Sequence, residues 1–144
     1  MILTTKGRFA VMALVDIAIN CKGNPINLAD IAKRQDIDTG YLEQIFVKLK
    51  QSGIVRSFRG PGGGYKLAQQ SNELIISDIL RAAEEGIKMT RCKPHTGEGC
   101  MRDKSVCLTH HLWEELEDTI HGYLKNITIA DVCENNLKLV KNAT

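Results

Sequence analysis

Three cysteines and a histidine, Cys92, Cys100, Cys107 and His110, fall in one glycine-, proline- and charge-rich stretch just ahead of a long apolar-striped segment. Thiolates are soft ligands that select zinc, copper(I) or iron-sulfur centres, and an imidazole can replace one of them. The set therefore fits a tetrahedral zinc ion or an iron-sulfur cluster with one histidine ligand. Seven residues separate Cys92 from Cys100 and six separate Cys100 from Cys107. Structural zinc sites usually pair their ligands about two to four residues apart, so no knuckle is present, and the wider loop suits a two-iron or four-iron cluster. Zinc, and reactive thiols with no metal, are the competing readings. Cys107 and His110 stand at the start of a helical pattern and can reach one centre from the same turn. His95 within the loop and His111, about 100° around the helix from His110, are rival nitrogen donors. Cys21 and Cys133 lie near apolar helix faces and read as buried, inert thiols, and His121 as a surface or interface residue.

The elements before this cluster describe a second function. From Lys6 to Asn20 the residues Phe9, Val11, Met12, Leu14, Val15 and Ile19 fall largely at helical spacing. Asn27 then offers an N-cap to a short helix ending near Gln35, and Asp38 caps a third that stops at Ser52-Gly53. Tyr41, Leu42, Ile45, Phe46 and Leu49 form the apolar side of that third helix, while Thr39, Glu43, Gln44, Lys48 and Lys50 form the other. Two short helices with a tight turn, the second polar and basic on one face, predict a helix-turn-helix whose second helix enters the DNA major groove. A hairpin follows: Ile54 to Phe58 as one strand, Arg59-Gly60-Pro61-Gly62-Gly63-Gly64 as the turn, Tyr65 to Leu67 as the return. Arg56, Arg59 and Lys66 decorate it, as suits phosphate contact or insertion into the minor groove. A plain β-turn is the alternative.

Beyond Ser71-Asn72 the pattern predicts a fourth helix from Ile76 to Glu84, a loop over residues 86–106, and a helix of roughly 30 Å from Leu108 to about Ile127. Its stripe of Leu108, Leu112, Leu116, Ile120, Tyr123, Leu124 and Ile127 needs a surface to pack on. The same helix of a second subunit is the first candidate, and helix one of the same chain the other. Thr128 caps a last short helix carrying Val132 and Cys133, and the tail from Leu137 is expected to fray. The expected fold is mainly α with a small β-wing, a winged helix-turn-helix plus a long dimerisation helix. Residues 1–70 form the DNA-binding region, with helix one also packing at the dimer. Residues 71–106 form a linking helix and cluster loop, 107–135 the dimerisation and terminal helices, and 136–144 a flexible tail.

Bulk properties agree. With 144 residues the chain can bury a core without staples. Residues 1–66 carry ten Lys and Arg against five Asp and Glu, a net +5, and the remainder nine against twelve, a net −3. A basic half joined to an acidic half is what a nucleic-acid binder with a separate sensory or pairing segment shows. The sequence has neither a signal-peptide pattern nor an apolar run long enough for a bilayer. A cytoplasmic protein without membrane partners is therefore expected, and five cysteines there favour metal over disulfides.

Taken together, Thr5-Lys6-Gly7-Arg8-Phe9-Ala10, Leu28-Ala29-Asp30-Ile31, Tyr41-Leu42-Glu43-Gln44, Arg59-Gly60-Pro61-Gly62-Gly63-Gly64-Tyr65, Arg91-Cys92, Cys107-Leu108-Thr109-His110 and Asn126-Ile127-Thr128 resemble the iron-sulfur cluster regulators, a family of dimeric winged-helix repressors. The resemblance runs from residue 1 to about 135. It implies a homodimeric transcription factor that holds a [2Fe-2S] cluster through Cys92, Cys100, Cys107 and His110. The cluster would come from the iron-sulfur assembly scaffold, and the protein would control the cluster-assembly genes at double-stranded DNA operators. In such a family the cluster-bound dimer represses its own operon and the cluster-free form still binds a second class of site, with Glu43 at the selectivity position. It also implies DNA contacts from Thr39, Gly40, Tyr41, Glu43, Gln44 and Lys48 of the recognition helix and from Arg56, Arg59, Gly60 and Gly62 of the wing. Two departures stand out. The cysteine loop is longer than usual and adds His95, Glu98 and Asp103 as potential ligands, and Gly40 replaces a serine at the start of the recognition helix.

The nearest competing function is a nitric-oxide sensor with a [4Fe-4S] cluster in the same family. Its relatives place a carboxylate ligand near the N-terminus, where this chain has Arg8. A redox enzyme or electron carrier is opposed by the absence of a nucleotide-binding glycine fingerprint or a substrate-site constellation, so no enzyme activity is expected. A zinc-stabilised interaction module would require metal for folding.

Overall fold

Helix α1 (Thr5–Asn20) turns Ala10, Ala13, Leu14 and Ile17 into the centre of the protein, where all four are fully buried. The structure is a computed structural model describing residues 5–84, 86–90, 92 and 96–137. Arg91, His95 and the tail from residue 138 onward, which figure in the expectations above, lie outside the described residues. The turn after α1 leads to α2 (Leu28–Gln35), started by Asn27, whose side-chain oxygen accepts from the Asp30 amide at 2.8 Å. Asp38 does the same for α3 (Thr39–Gln51), accepting from the Tyr41 amide at 2.9 Å. Leu42, Ile45, Phe46 and Leu49 of α3 are fully buried. Each such side chain contributes about 1.5–3 kcal/mol on leaving water, which fixes the angle at which the opposite face of α3 is presented.

The hairpin pairs β1 (Val55–Phe58) with β2 (Gly64–Leu67), antiparallel from Val55 opposite Leu67 to Phe58 opposite Gly64. The Ile26 amide donates to the Tyr65 carbonyl at 3.0 Å and the Tyr65 amide donates back to Ile26 at 2.8 Å. This ties the wing to the segment that enters α2. Gly64 makes the approach possible: a Cβ at this position would run into the Ile26 carbonyl. Phe46 of α3 packs edge-on against Tyr65 at 4.8 Å between ring centroids, so the recognition helix and wing move as one piece.

Helix α4 (Ile76–Ala82) ends two residues before the expected Glu84, which adopts a left-handed φ of 59°. Helix α5 (His110–Lys125) is also shorter than expected. At its start the His110 amide donates to the Cys107 carbonyl in a turn, leaving Leu108 outside the helix. At 1.5 Å per residue its sixteen residues span about 24 Å. Helix α6 (Ile129–Cys133) begins at Thr128 in a reciprocal capping box with Asp131. Amide donations from Ile76 to Ile127 and from Ile129 to Leu74, both 2.9 Å, stitch the starts of α4 and α6 together.

The expected intrachain partner of the long helix was α1. Instead α5 rests on α4, and α6 lies along α1. Because α1 also touches α2, α3 and α4, the DNA-binding half and the terminal helix share one core. The architecture is a winged helix-turn-helix followed by a long helix. Among the described residues, no helix is long and apolar enough to cross a membrane.

Candidate nucleic-acid interface and metal centre

The face of α3 opposite the core exposes Thr39, Gly40, Glu43 and Gln44. Asp38, Gly40, Tyr41, Glu43, Gln44 and Val47 line a shallow depression there. Tyr41 is half-buried, its ring edge-on to Phe9 at 5.8 Å, so it braces the start of α3 against α1 while its flank borders the depression. Lys48 stands at the far edge of the helix, its Nζ donating to Glu84 at 2.8 Å, and Glu84 is held below the usual carboxylate range by that bond and by the charge of Lys48. Sequence reasoning missed Val47, which is half exposed at the centre of this face. Its signal was an apolar residue off the buried stripe, and its chemistry suits contact with a thymine methyl group.

On the wing, Arg56 and Arg59 are exposed, as are Gly60 and Gly62 at the tip. The two glycines take φ of 92° and 77°, the left-handed region that side chains resist. Lys66 is engaged elsewhere, its Nζ donating to the Gly23 carbonyl at 2.6 Å and lying 5.3 Å from the centroid of the Phe58 ring. The basic groups left to a phosphate backbone on this hairpin are thus Arg56 and Arg59.

The cysteine loop leaves α4 and returns to α5. Its described part is ordered by local bonds: Gly99 donates to the Lys104 carbonyl at 2.9 Å, and Asp103 accepts from the Ser105 amide and hydroxyl at 3.0 and 2.6 Å. Asp103, one of the extra potential ligands, is engaged in this turn, and its bonds from Ser105 hold it below the usual carboxylate range. Glu117 of α5 accepts from the Met89 amide at 3.2 Å and pins the outgoing strand of the loop to the helix.

This fold brings Cys92, Cys100 and Cys107 onto the wall of one cleft, with Thr109 and Trp113. Cys92 is buried, Cys107 half-buried and Cys100 exposed. A hydrogen bond with Cys92, and then the negative charge of Cys92 and Cys107, push the Cys100 thiol above its ordinary value. Thiolates sharing one cleft disfavour one another's ionisation, and a cation among them would offset that. Thr109 acts the other way on Cys107: its hydroxyl lies 3.3 Å from the sulfur, and that contact with the Thr109 amide pulls the thiol down. His110, the fourth expected ligand, begins α5 directly after Thr109 of the cleft wall but does not itself line the cleft. It is 6% exposed and its Nδ1 is buried without a hydrogen-bond partner. An unpaired buried nitrogen costs about 1–3 kcal/mol, and a metal accepting its lone pair would remove that cost. His111 on the next position is exposed, and Glu114 stands beside both rings.

Cys21 and Cys133, expected to be buried, are each half-buried. Cys21 Sγ donates to the Asn24 carbonyl at 3.0 Å, and burial followed by the charge of Glu134 pushes Cys133 up. Neither belongs to the cleft.

Residues 3–135 match the Rrf2 family, iron-dependent transcriptional regulator. The chain is 43% identical over 133 residues to the HTH-type transcriptional regulator IscR of Cronobacter sakazakii and to that of Escherichia coli. In each case the match takes in 92% of this chain and 80% of the relative. Among solved structures it is similar to T. potens IscR, with a TM-score of 0.75 and 30% identity over 100% of this chain and 93% of that one. It is also similar to CymR, the global cysteine regulator of B. subtilis, with a TM-score of 0.78 and 26% identity over 94% and 98% of the two chains.

Proposed function

Since the chain belongs to the Rrf2 family of DNA-binding transcriptional regulators, we propose that it acts as a homodimeric repressor reading iron-sulfur cluster status. Cys92, Cys100, Cys107 and His110 would hold a [2Fe-2S] cluster delivered by the assembly scaffold, and the genes controlled would be those for cluster assembly. The observation that carries this reading is the cleft itself, which gathers three cysteines on one wall, and next in the chain to its Thr109 stands a buried histidine whose Nδ1 lacks a partner. When bound, the cluster supplies a link between loop and helix that is lost on oxidation or when supply fails.

The protein's own residues would do the rest. Thr39, Gly40, Glu43, Gln44 and the flank of Tyr41 face the major groove, and Arg56 and Arg59, with the backbone of Gly60 and Gly62, meet the phosphates or minor groove. Lys48 would assist only on leaving Glu84. Cys92 lies ten residues beyond α4, and Glu84, two residues past the end of α4, holds Lys48 of the recognition helix. A change at the loop therefore has a short physical route to α3. The second copy would cover the apolar face of α5, where Leu112 and Leu116 are 57% and 38% exposed, together with Leu108 in the turn before it, which is fully exposed. A monomer has no reason to leave such a row in water.

Anaerobic purification with iron, sulfide and zinc assays tests the reading. About two irons and two sulfides per chain, with the visible spectrum bleached in Cys92→Ala, are expected for a [2Fe-2S] centre. About four of each would transfer the reading to a [4Fe-4S] nitric-oxide sensor, and zinc without sulfide would overturn it.

A further inference from the structure

Among the described residues, His110, His111 and Glu114 bring one donor atom each to within 4.8 Å of one another. Glu114 Oε2 lies 3.8 Å from His110 Nε2 and 3.6 Å from His111 Nδ1. Ligands at zinc distances of about 2.0–2.1 Å in a tetrahedron stand about 3.4 Å apart. The two nitrogen–carboxylate pairs are therefore within a few tenths of an ångström of that spacing, and the two nitrogens lie within 4.8 Å of each other. Consecutive helix positions diverge by about 100°, yet these two rings meet edge to face, 5.3 Å between centroids and 79° between planes. That arrangement turns a nitrogen of each toward the same carboxylate. His110 is buried, and its other ring nitrogen, Nδ1, is without a partner.

We propose that the first turn of α5 carries a divalent transition-metal site formed by His110 Nε2, His111 Nδ1 and Glu114, separate from the thiols of the cysteine cleft. Two imidazoles and a carboxylate suit zinc, nickel or cobalt; magnesium and calcium prefer all-oxygen sets. The exposed His111 side leaves the remaining coordination position to water, as in open three-ligand zinc sites. No thiolate takes part, so the site survives oxidation of the cysteines. Its one point of contact with the proposed function is His110. A neutral imidazole offers one lone pair, so an ion on Nε2 leaves Nδ1 protonated and zinc in excess would compete with the cluster for His110, a consequence that rests on the cluster reading.

Cobalt(II) is the probe. Titrated into the full chain carrying Cys92→Ser, Cys100→Ser and Cys107→Ser, it is expected to bind once per chain. The visible d–d absorption should appear without thiolate charge transfer in the near ultraviolet, and the unfolding midpoint should rise. Adding His111→Ala, an exposed position whose loss leaves the fold intact, should weaken binding at least tenfold, and so should Glu114→Gln. No cobalt uptake by the triple-serine chain, or equal affinity after His111→Ala, would overturn the proposal. Iron and sulfide in the unsubstituted chain separate the two ideas. Cobalt binding with no cluster sinks the cluster reading alone, and a cluster with no cobalt site sinks this one alone.

Discussion

At Asp16 the apolar stripe of α1 is interrupted by a carboxylate that is 2% exposed. Arg34 donates to it from Nε and Nη2 at 2.9 and 2.7 Å, and Gln35 donates at 2.9 Å. Burial opposes ionisation, but the bonds from Arg34 and Gln35 and the charge of Arg34 outweigh it and hold the carboxyl below its ordinary value of 3.8. The clamp therefore stabilises the protein fully above that value and is lost as pH falls through the lower folded value. Asp16→Ala is expected to destabilise by about 2–3 kcal/mol, below the usual cost of breaking a fully buried pair because Arg34 can recover water. Its stability deficit, measured by denaturant titration, should shrink as the pH is lowered from 5 toward 3. A pair eighteen residues apart leaves no local pattern, so this clamp was not legible in the sequence. For the same reason Lys48 and Lys66 read as DNA contacts although Glu84 and Gly23 hold them. That Cys92, Cys100 and Cys107 belong together was legible, because they are crowded into one short stretch whose two ends, near α4 and α5, pack together. At Glu43 chemistry again decides: a carboxylate accepts from cytosine N4 and repels most other base edges. On the proposed cluster reading, Glu43→Ala should let the cluster-free protein bind sites that otherwise require the cluster. A mobility-shift series in which the variant gains nothing there would remove Glu43 from selectivity.

Among the elements, the wing is the one whose position depends on a single atom's absence. Gly64 lets β2 lie against the Ile26 carbonyl, and the two bonds between Ile26 and Tyr65 then set the hairpin's angle to α3. Gly64→Ala should push the strand off this support and lower DNA affinity at least tenfold. Any metal the cleft holds should stay in place, because the cleft is lined by the loop and the start of α5. Retained affinity would mean that the wing does not need this anchorage. The glycine run announced a turn in the sequence, but it did not say which glycine answered to backbone angle and which to a neighbouring chain segment. Helices capped by local residues were readable within a residue or so: Asn27, Asp38 and Thr128 each cap as expected. The start of α5 was not, because Leu108 continues the apolar period while the backbone is still in the turn that sets Cys107 against His110. Periodicity reports which face is apolar, and α5 keeps part of that face in water.

For the whole molecule, the exposed row Leu108, Leu112 and Leu116 and the arginines of the wing make linked demands. If two copies close over α5, each DNA complex presents two wings, and one substitution in the gene removes two phosphate contacts. The slope of log affinity against log salt changes by about 0.9 per neutralised phosphate. Arg59→Ala is therefore expected to make the slope shallower by about 1.8 if the protein binds as a dimer, and by about 0.9 if it binds as a monomer. Leu112→Asp with Leu116→Asp should convert the protein to a monomer by sedimentation, since burying two carboxylates against their copies is strongly unfavourable. In that background the effect of Arg59→Ala on the slope should fall to the smaller value. A change of about 0.9 in both backgrounds would place α5 outside the DNA-binding assembly, and its apolar row would then need another partner. A change of about 1.8 that halves when α5 is charged would tie the leucine row, the wing and the operator into one two-fold arrangement. It would also account for why a chain with a basic half and an acidic half keeps a long helix that its own core only partly covers.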